Sequence, residues 1–305
     1  MPSSSESASV VIVGPASWNT IVVLDRLPEP VPHMQFAESA WETVGGTSAG
    51  KALSLTALGR SVRLHATAGV DREGVHVREA LRAAGVPVDW HDGVTERHLN
   101  LMTRAGERVS LYLATPGETT GEHDRLAHGE MAAADAVVLD LAAEPLRLLP
   151  LARSTGTPIW VDVHDYDGSA DYHRPFLAAA DAVFCNADRL DDPIGFLRSL
   201  IAEKTRLAVC TLGADGAVAV DEDGTVHRVP AESVDVVDTN GAGDAFLAGV
   251  LDARLDGADV PTALRAGARS AATALRTRHL HPLLDSVLDP VLDPVLDLGF
   301  EPVGE

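Results

Sequence analysis

The sequence predicts an α/β fold, in which a mostly parallel central sheet is covered by helices on both faces, with two further stretches that could form a small β-sheet lid. Continuous apolar, strand-like runs alternate with helix-like segments along most of the chain, a pattern typical of parallel sheets. Two stretches, 19–44 and 97–113, interrupt that alternation and supply the candidate lid. With 305 residues, of which 46% are hydrophobic and 23% charged, the chain can build a large core.

The individual elements of the main sheet follow from short apolar runs bounded by glycine, proline or acidic residues. Strands are predicted at 10–13, 62–68, 136–140, 158–163, 182–185, 206–211 and 216–220. Helices are predicted at 50–58, 74–84, 145–154, 245–255 and 262–275. Strands that alternate with helices in this order indicate a parallel sheet.

The two lid stretches share the lack of a helical period. Residues 19–44 contain Val22, Val23 and three prolines, whereas residues 97–113 predict a hairpin that turns at Ala105-Gly106. The same pattern also fits ordinary surface excursions. If the stretches do form a lid, its strand edges favour pairing with a second copy, so we expect a homodimer through the lid.

The charge balance and the cysteines exclude several classes of protein. Lys and Arg number 24 and Asp and Glu number 45, which gives a net charge of −21 and argues against nucleic acid as a partner. The two cysteines, Cys185 and Cys210, lie in apolar strand-like runs, so neither a disulfide framework nor a cysteine zinc site is expected.

Both ends of the chain differ from the rest in composition. Residues 1–9 are polar and Ser-rich, without the basic start of a signal peptide, and we expect them to be disordered. No apolar run approaches the roughly 18 residues of a membrane span, so no membrane contact and a cytoplasmic location are expected. In 285–305 an acid recurs every four residues, but Pro290, Pro294 and Pro302 disfavour a helix. An extended acidic tail is therefore predicted.

The segment 238–244, with the sequence D-T-N-G-A-G-D, is the most informative part of the chain. Its glycines allow the backbone to approach a ligand closely, and the free amides at the start of the following helix favour an anion. Asp244 at that helix start is a candidate proton acceptor. Phosphoryl transfer to an alcohol needs such a base and such a cradle, although a lone acid after a glycine turn would more simply be a helix cap.

The same segment resembles the D-T-x-G-A-G-D signature of the ribokinase (PfkB) family of carbohydrate and nucleoside kinases. Further resemblances are the glycine pair Gly45-Gly46, the segment 59–74 with its G-x-D-x-x-G pattern, and the T-x-G-x-x-G loop at 211–216. The resemblance implies a Rossmann-like, ribokinase-like domain over 10–284 with a lid at 19–44 and 97–113. It also implies a carbohydrate kinase that uses ATP and Mg²⁺ to phosphorylate a hydroxymethyl group.

The resemblance further implies a role for each matched residue. Asp244 would be the catalytic base, and the amides of Gly241, Ala242 and Gly243 would form the anion hole, whose donors are each worth about 3 kcal/mol. The positions expected to bind the nucleotide are Asn186, Thr211, Gly213 and Gly216. The positions expected at a monovalent cation such as K⁺ are Asp238 and Asn240. The positions expected to contact the acceptor are Asn19, Gly45, Gly46, Gly50 and Asn100.

Three positions depart from the family pattern. Asn19 stands where many sugar kinases carry an Asp, and Gly50 stands at the Asn of G-G-x-x-A-N. Arg189 falls at the Glu of the N-x-x-E motif, which puts the Mg²⁺ arrangement in question, with Asp188 one residue early. These departures leave the acceptor open, with Asn100 as the lid candidate, alongside two positions that are more simply exposed polar residues, Arg97 and Asp25.

Alternatives of other kinds remain at this point. A sugar is the first choice of acceptor, and a nucleoside is the second because Trp18 and Phe36 of the predicted lid could stack on a base. A catalytically degenerate, metabolite-binding regulator would also tolerate the three departures. The segment 45–52, G-G-T-S-A-G-K-A, nearly matches a P-loop, but Ala52 lacks the hydroxyl that would hold Mg²⁺.

A few chemically capable residues have simpler expected roles. Lys51, one of only two lysines, is expected on a helix surface, ahead of a substrate contact. Residues 160–167 are a strand end rich in acids. His164 with Asp162 and Asp165 suggests a metal site, but solvated loop acids and a structural histidine are the simpler expectation. His279 and His281 are expected at the surface.

Overall fold

The elements of the chain are seen in a computed structural model that describes residues 9–117, 119 and 121–289. The strands in this part of the chain are β1 (Ser9–Val13), β2 (Ser17–Leu24), β3 (Ser39–Gly45), β4 (Ser61–Ala68), β5 (Val88–Asp92), β6 (Glu96–Thr103), β7 (Arg108–Ala114), β8 (Ala136–Leu139), β9 (Ile159–Asp162), β10 (Ala182–Asn186), β11 (Leu207–Thr211), β12 (Ala217–Asp221) and β13 (Val226–Val229). The α-helices are α1 (Thr47–Ala57), α2 (Arg72–Ala83), α3 (Asp124–Ala133), α4 (Ala143–Thr155), α5 (Arg174–Ala179), α6 (Pro193–Ala202), α7 (Ala242–Leu255), α8 (Val260–Ala274) and α9 (Asp285–Leu288).

Nine of these strands form the main sheet, in the order β13-β12-β11-β10-β9-β8-β1-β4-β5. The seven strands from β11 to β5 are parallel, and only β12 and β13 at one edge run antiparallel to their neighbours in the described structure. The predicted mostly parallel sheet is therefore confirmed. Since the parallel strands end at one edge, the residues that follow them come together there.

Strand β1 shows how the two faces of this sheet are filled. Val10 and Ile12 point to one core, which helices α1, α2, α7 and α8 complete. Val11 and Val13, one residue out of phase, point to a second core under α3, α4, α5 and α6. Because side chains alternate along a strand, a run that is apolar at every position is buried on both faces.

The predicted lid is the second sheet, in the order β3-β2-β6-β7. Strand β2 pairs antiparallel with β3 and parallel with β6, and β6 pairs antiparallel with β7. The first lid stretch begins earlier than predicted, at Ser17, and residues 25–38 between β2 and β3 are not strand. Strand β3 ends at Gly45 and leads directly into α1, so the lid is joined to the main domain beside the predicted glycine pair.

The chain ends give one correction. Residues 1–8 and 290–305, which include most of the predicted disordered start and acidic tail, lie outside the described residues. The prediction of an extended tail from residue 285 is wrong for Asp285–Leu288, which form the short helix α9 before the first proline of the repeat. No helix among the described residues combines the length and apolarity needed to cross a membrane.

Candidate active site

The carboxyl ends of four neighbouring parallel strands bring polar residues to one edge of the main sheet. Asp140 follows β8, and Asp162, Asn186 and Thr211 are the last residues of β9, β10 and β11. Helix α7 also starts at this edge. The acid in its first turn, Asp244, lies near Asp140 and Asp162. The sheet topology therefore gathers residues that are more than a hundred positions apart in the sequence.

The glycine turn before α7 has the open form that the motif predicts. Gly241 has a φ of 77°, and a Cβ there would lie 2.9 Å from the Leu280 carbonyl, so this position requires glycine. A Cβ on Gly243 would meet no described atom within 4 Å, so the helix start faces open space. The amide of Ala242 makes only a long contact, 3.5 Å, with the Thr239 carbonyl. Such a helix start presents amides and a positive dipole end to an anion.

Asp244 lies in the first turn of α7, buried but still part of a cavity wall. Only 8% of the residue is exposed. Its Oδ1 accepts a hydrogen bond from Lys51 Nζ at 2.7 Å. Burial raises the pKa of Asp244 to about 6, although the Lys51 ammonium opposes this rise. The carboxylate is therefore a stronger base than an exposed Asp, and it is still ionised near neutral pH.

Lys51 is not on a helix surface, so that prediction is wrong. The residue is fully buried, and its Nζ lies 2.8 Å from Asp140 Oδ1 and 3.6 Å from Asp162 Oδ2, in addition to its bond with Asp244. Burial disfavours the charged ammonium, but the three carboxylates outweigh it and raise the pKa of Lys51. A buried lysine without acids would not stay charged, so the cluster explains both its burial and its charge.

The strand end at Asp162 also differs from the expected solvated loop. Asp162 is buried, and its Oδ1 accepts a hydrogen bond from the His164 amide at 2.9 Å. Burial would raise the pKa of Asp162, but His164 and Lys51 hold it below its usual value. His164 itself has a φ of 50°, which is uncommon for a residue with a side chain. The acids at this edge serve the charge balance around Lys51.

A cavity of about 160 Å³ separates the lid from the start of α7. Asn19 and Asn100, two of the predicted acceptor residues, lie in its wall together with Asp244. The other lining residues are Ile21, Thr43, Val44, Thr47, His98, Arg108, Ser110, Tyr112, Asn240, Gly241, Arg278, His279 and Leu280. A small ligand in this cavity would thus contact the lid, the glycine turn and the base together.

Asn19 and Asn100 offer different hydrogen-bonding atoms. Asn19 Oδ1 already accepts a bond from the Ser17 hydroxyl at 2.8 Å. Asn100 is buried, and its Oδ1 has no hydrogen-bond partner among the described residues. A buried acceptor without a partner costs free energy until a ligand or water donates to it. Asn100 is therefore the better-supported contact to a hydroxyl group.

The three glycines predicted at the acceptor are outside the cavity lining and shape it from behind. A Cβ on Gly45 would lie 2.0 Å from Asn19 Nδ2, and Gly46 has a φ of 93° with the Pro15 carbonyl close behind it. A Cβ on Gly50 would lie 2.9 Å from Asp244 Oδ2. Each glycine therefore makes room for a protein atom, which the motif alone did not reveal.

Four lid residues considered from the sequence lie away from the cavity. Asp25 is exposed and accepts hydrogen bonds from Gln35 and Arg26, whereas Arg97 lies 3.8 Å from Glu73. Trp18 is buried and stacks on His76 at 5.1 Å between ring centroids, and Phe36 is 88% exposed. None of the four lines the cavity, so the argument for base stacking by Trp18 and Phe36 is wrong.

The predicted nucleotide residues lie at the neighbouring strand ends. Asn186 and Thr211 are paired across β10 and β11, and Gly213 follows with a φ of 58°. Gly216 serves the fold, because a Cβ there would lie 2.0 Å from the Val229 carbonyl. Arg189 is exposed, with Nη1 3.8 Å from Asp165 Oδ2. A guanidinium is a cation without an acceptor atom, so it cannot replace the acid of the N-x-x-E motif as a metal ligand.

The predicted cation positions are joined to each other and to the lid. Asp238 is buried, its Oδ1 accepts the Asn240 amide hydrogen at 2.8 Å, and burial raises its pKa. The Asn240 side chain accepts a bond from Arg108 Nη1 at 2.7 Å and contacts Met102 Sδ at 3.4 Å. Both lid strands of the hairpin thus touch the segment before α7.

Sequence reasoning missed the cavity wall that comes from the end of the chain. His279 and His281 are buried, so their predicted surface position is wrong. His279 Nδ1 lies 2.8 Å from the Thr43 hydroxyl, and its Nε2 lies 3.0 Å from Asp289 Oδ1. Arg278 also binds Asp289. These residues form no motif, and only their pairing with an acid ten positions later could have signalled a folded segment.

Most of the chain is similar in sequence to proteins of one known family. Residues 7–284 match the model of the pfkB family of carbohydrate kinases. The chain is 32% identical over 283 residues to acarbose 7(IV)-phosphotransferase of Actinoplanes sp., covering 88% of this chain and 93% of that protein. It is 32% identical over 291 residues to the ATP-dependent ribose-1-phosphate kinase of Halopiger xanaduensis, covering 87% and 95%.

A solved structure has a similar fold over most of the chain. The structure of a microbiome-derived acarbose kinase superposes with a TM-score of 0.79 at 32% identity, covering 93% of this chain and 100% of that chain. The similarity therefore extends well beyond the short motif.

Proposed function

The chain belongs to the pfkB family of carbohydrate kinases, which are ATP-dependent phosphotransferases with an alcohol acceptor, and we propose that Asp244 is its catalytic base for phosphorylating a hydroxymethyl group of a sugar. The position of Asp244 supports this most directly. It lies in the first turn of α7 and in the wall of the cavity between the lid and α7, which we call the acceptor cavity. A base and an anion cradle are thus adjacent, as phosphoryl transfer requires.

The residues of this chain would divide the reaction between them. Asp244 would accept the proton of the acceptor hydroxyl, and its raised pKa, about 6, brings it nearer the working pH. The amides of Gly241, Ala242 and Gly243 would stabilise the negative charge that develops on the transferred group. Asn100 would orient the acceptor through its unpartnered Oδ1. Closure of the lid over the cavity would exclude water.

The fit of each cofactor differs. ATP supplies the phosphoryl group, and the open space above Gly243 supports a phosphate at this turn, with Asn186, Thr211 and Gly213 along the nucleotide. Kinases of this family usually use Mg²⁺, but Arg189 at the family's Glu position does not fit as a ligand. Asp238 and the carbonyl of Asn240 would hold a monovalent cation such as K⁺.

The acceptor residues favour a sugar over a nucleoside. The cavity wall is rich in short polar side chains such as Asn19, Thr43, Asn100 and Ser110, which suit several hydroxyl groups. The aromatic residues considered for a base lie elsewhere. Among the described lining residues the rings are those of Tyr112, His98 and His279, and the Tyr112 and His98 ring centroids are 4.0 Å apart. The relatives that act on acarbose and on ribose 1-phosphate make both compounds first choices in a screen.

Two alternatives have less support. A P-loop would place Lys51 on phosphates, but its ammonium is enclosed by three carboxylates. A degenerate regulator would not need a base, yet Asp244 is held in place in the cavity wall.

Measuring ATP turnover over a panel of sugars, sugar phosphates, acarbose and nucleosides tests the proposal. We expect one sugar to stimulate turnover, and Asp244→Asn to lower kcat by at least about a hundredfold while ATP binding is retained. Asp223→Asn, which changes an exposed acid in a turn, is the matched control and should leave kcat unchanged. A wild-type rate in Asp244→Asn would remove Asp244 from the mechanism, and binding without turnover across the panel would favour the regulator.

A further inference from the structure

Two unusual features of the sequence meet at the Asp244 carboxylate. Gly50 replaces the family's Asn, and Lys51 beside it is one of only two lysines in the chain. Both residues lie in α1 and both are buried. The Lys51 ammonium bonds Asp244 Oδ1 at 2.7 Å, and the Cβ position of Gly50 is 2.9 Å from Asp244 Oδ2. Helix α1 therefore bonds Asp244 Oδ1 through Lys51 and leaves room for Asp244 Oδ2 at Gly50.

We propose that Lys51 is a positioning residue for the transfer reaction. With Gly50 it forms a binding site for the Asp244 carboxylate, the carboxylate site, which holds that group in place and ionised beside the acceptor cavity. This inference rests on the proposed role of Asp244 as the base. Lys51 acts through Asp244 because its Nζ is fully buried and is not part of the cavity wall. In a low-dielectric site, a cation at hydrogen-bond distance favours the ionised form of an acid.

The remaining acids of the cluster fix Lys51 in turn. Asp140 bonds Lys51 Nζ at 2.8 Å and accepts a 2.5 Å bond from the Ser48 hydroxyl, so it is held from two positions of α1. Gly14 permits this approach, since a Cβ there would lie 2.3 Å from Ser48 Oγ. The ammonium thus has a fixed location, and through it so does the carboxylate of Asp244.

The charges around Asp244 make the inference testable through pH. The groups that act on it are Lys51 of α1, Asp140 after β8, and Asp162 and His164 at the end of β9. The other titratable or charged groups in the wall of its cavity are His98, Arg108, Tyr112, Arg278 and His279. Lys51 and His164 favour the ionised carboxylate, whereas Asp140 and Asp162 oppose it. Removing Lys51 and removing the Asp140 charge should therefore move the acidic limb of the rate profile in opposite directions.

The experiment compares kcat/KM against pH for the wild type, Lys51→Met and Asp140→Asn. We expect Lys51→Met to move the acidic limb upward by about one pH unit or more, and Asp140→Asn to move it downward. Lys51→Met leaves three acids without a cation, so the double variant K51M/D140N, whose cluster keeps the net charge of the wild type, is measured as well. Its limb should also lie above that of the wild type.

The outcomes separate the inference from the proposed function. An unmoved limb in both Lys51 variants, with only lower thermal stability, would make Lys51 merely structural and overturn the inference. If Asp244→Asn keeps the wild-type rate and limb, the proposed base fails first. Gly50→Ala gives an independent measure, since its new methyl group would displace the carboxylate. We expect kcat to fall more than tenfold with the acceptor KM little changed. A wild-type kcat would contradict the proposed carboxylate site.

Discussion

Arg108 Nη1 of lid strand β7 donates a hydrogen bond to Asn240 Oδ1 at 2.7 Å, directly before the glycine turn. The lid and the segment before α7 are thus joined by a side-chain contact at the cavity. Arg108 is exposed, so the contact can open without cost to the core. It offers a way to couple lid position to the geometry of the turn.

Removing this contact should weaken substrate capture. Arg108→Ala is expected to raise the acceptor KM about three- to tenfold, which corresponds to about 1 kcal/mol from an exposed charged hydrogen bond. Steady-state kinetics measure the effect, and melting temperature checks the fold. Arg104→Ala is the control, because Arg104 pairs with Glu38 elsewhere in the lid at 2.7 Å. Equal effects of the two variants would show that Arg108 acts only on lid stability.

Gly243→Ala should separate stability from activity. A Cβ there meets no described atom within 4 Å, and an Ala within a helix is more stable than a Gly by about 0.5–1 kcal/mol. The same methyl group would enter the space above the helix start, where a phosphate is proposed. We expect urea unfolding to show an unchanged or increased stability and kinetics to show at least a tenfold lower kcat/KM for ATP.

Gly129→Ala provides the matched control for that variant. Gly129 lies in α3, and a Cβ on it also meets no described atom within 4 Å. It should gain similar stability with no change in kinetics. An active Gly243→Ala enzyme would place the transferred phosphate elsewhere.

Asn100→Ala should affect the acceptor and not the nucleotide. Its Oδ1 is buried without a described partner, so it is ready to accept a bond from a substrate hydroxyl. Loss of one neutral hydrogen bond, about 1 kcal/mol, raises the acceptor KM about fivefold. Initial rates with each substrate varied in turn give the two KM values. A parallel increase in the KM for ATP would argue against a direct contact with the acceptor.

The buried charge of Asp244 predicts a pH-dependent gain in stability when it is removed. The pKa of Asp244 is about 6 in the folded protein, above the ordinary 3.8. The folded state therefore binds this proton more tightly than the unfolded chain, and the ionised form destabilises the fold above pH about 6 but not below about 4. Asp244→Asn should be more stable at pH 8 by up to about 3 kcal/mol, at about 1.36 kcal/mol per pKa unit.

Urea denaturation at pH 8, 6 and 4.5 would measure this difference. The gap between Asp244→Asn and the wild type should narrow as the pH falls through about 6, since the wild-type carboxylate then takes up its proton. Lys51 keeps Asp140 and Asp162 as partners in the variant. A gap of constant size at all three pH values would show that packing, and not ionisation, accounts for the change.

Local patterns predicted the parts of the site that are continuous in sequence. The turn at 238–244 and the helix after it were predicted because glycine freedom and helix-start chemistry are properties of neighbouring residues. Elements with weaker periodicity were missed, including the edge strand β5, which contains Asp89 and His91, and helix α6. The signal for α6 was present, since Asp192 caps it and Pro193 begins it.

The role of Lys51 could not be predicted in this way. Its three partners, Asp140, Asp162 and Asp244, come from two strand ends and a distant helix, and only the sheet order brings them together. A lysine at a helix position is usually solvated, so propensity points to the surface. The rarity of lysine in this chain was the one available hint.

Asp289, the last described residue, supports the far wall of the acceptor cavity through His279 and Arg278. The Thr43 hydroxyl of β3 bonds His279 Nδ1 at 2.8 Å, and Asn19 of β2 lies in the wall of the same cavity. The cavity wall can therefore close only after residues 278–289 have left the ribosome and joined β2 and β3. A nascent chain from which α9 had not yet emerged would have β9, β10 and β11 in place while the cavity was still open on one side.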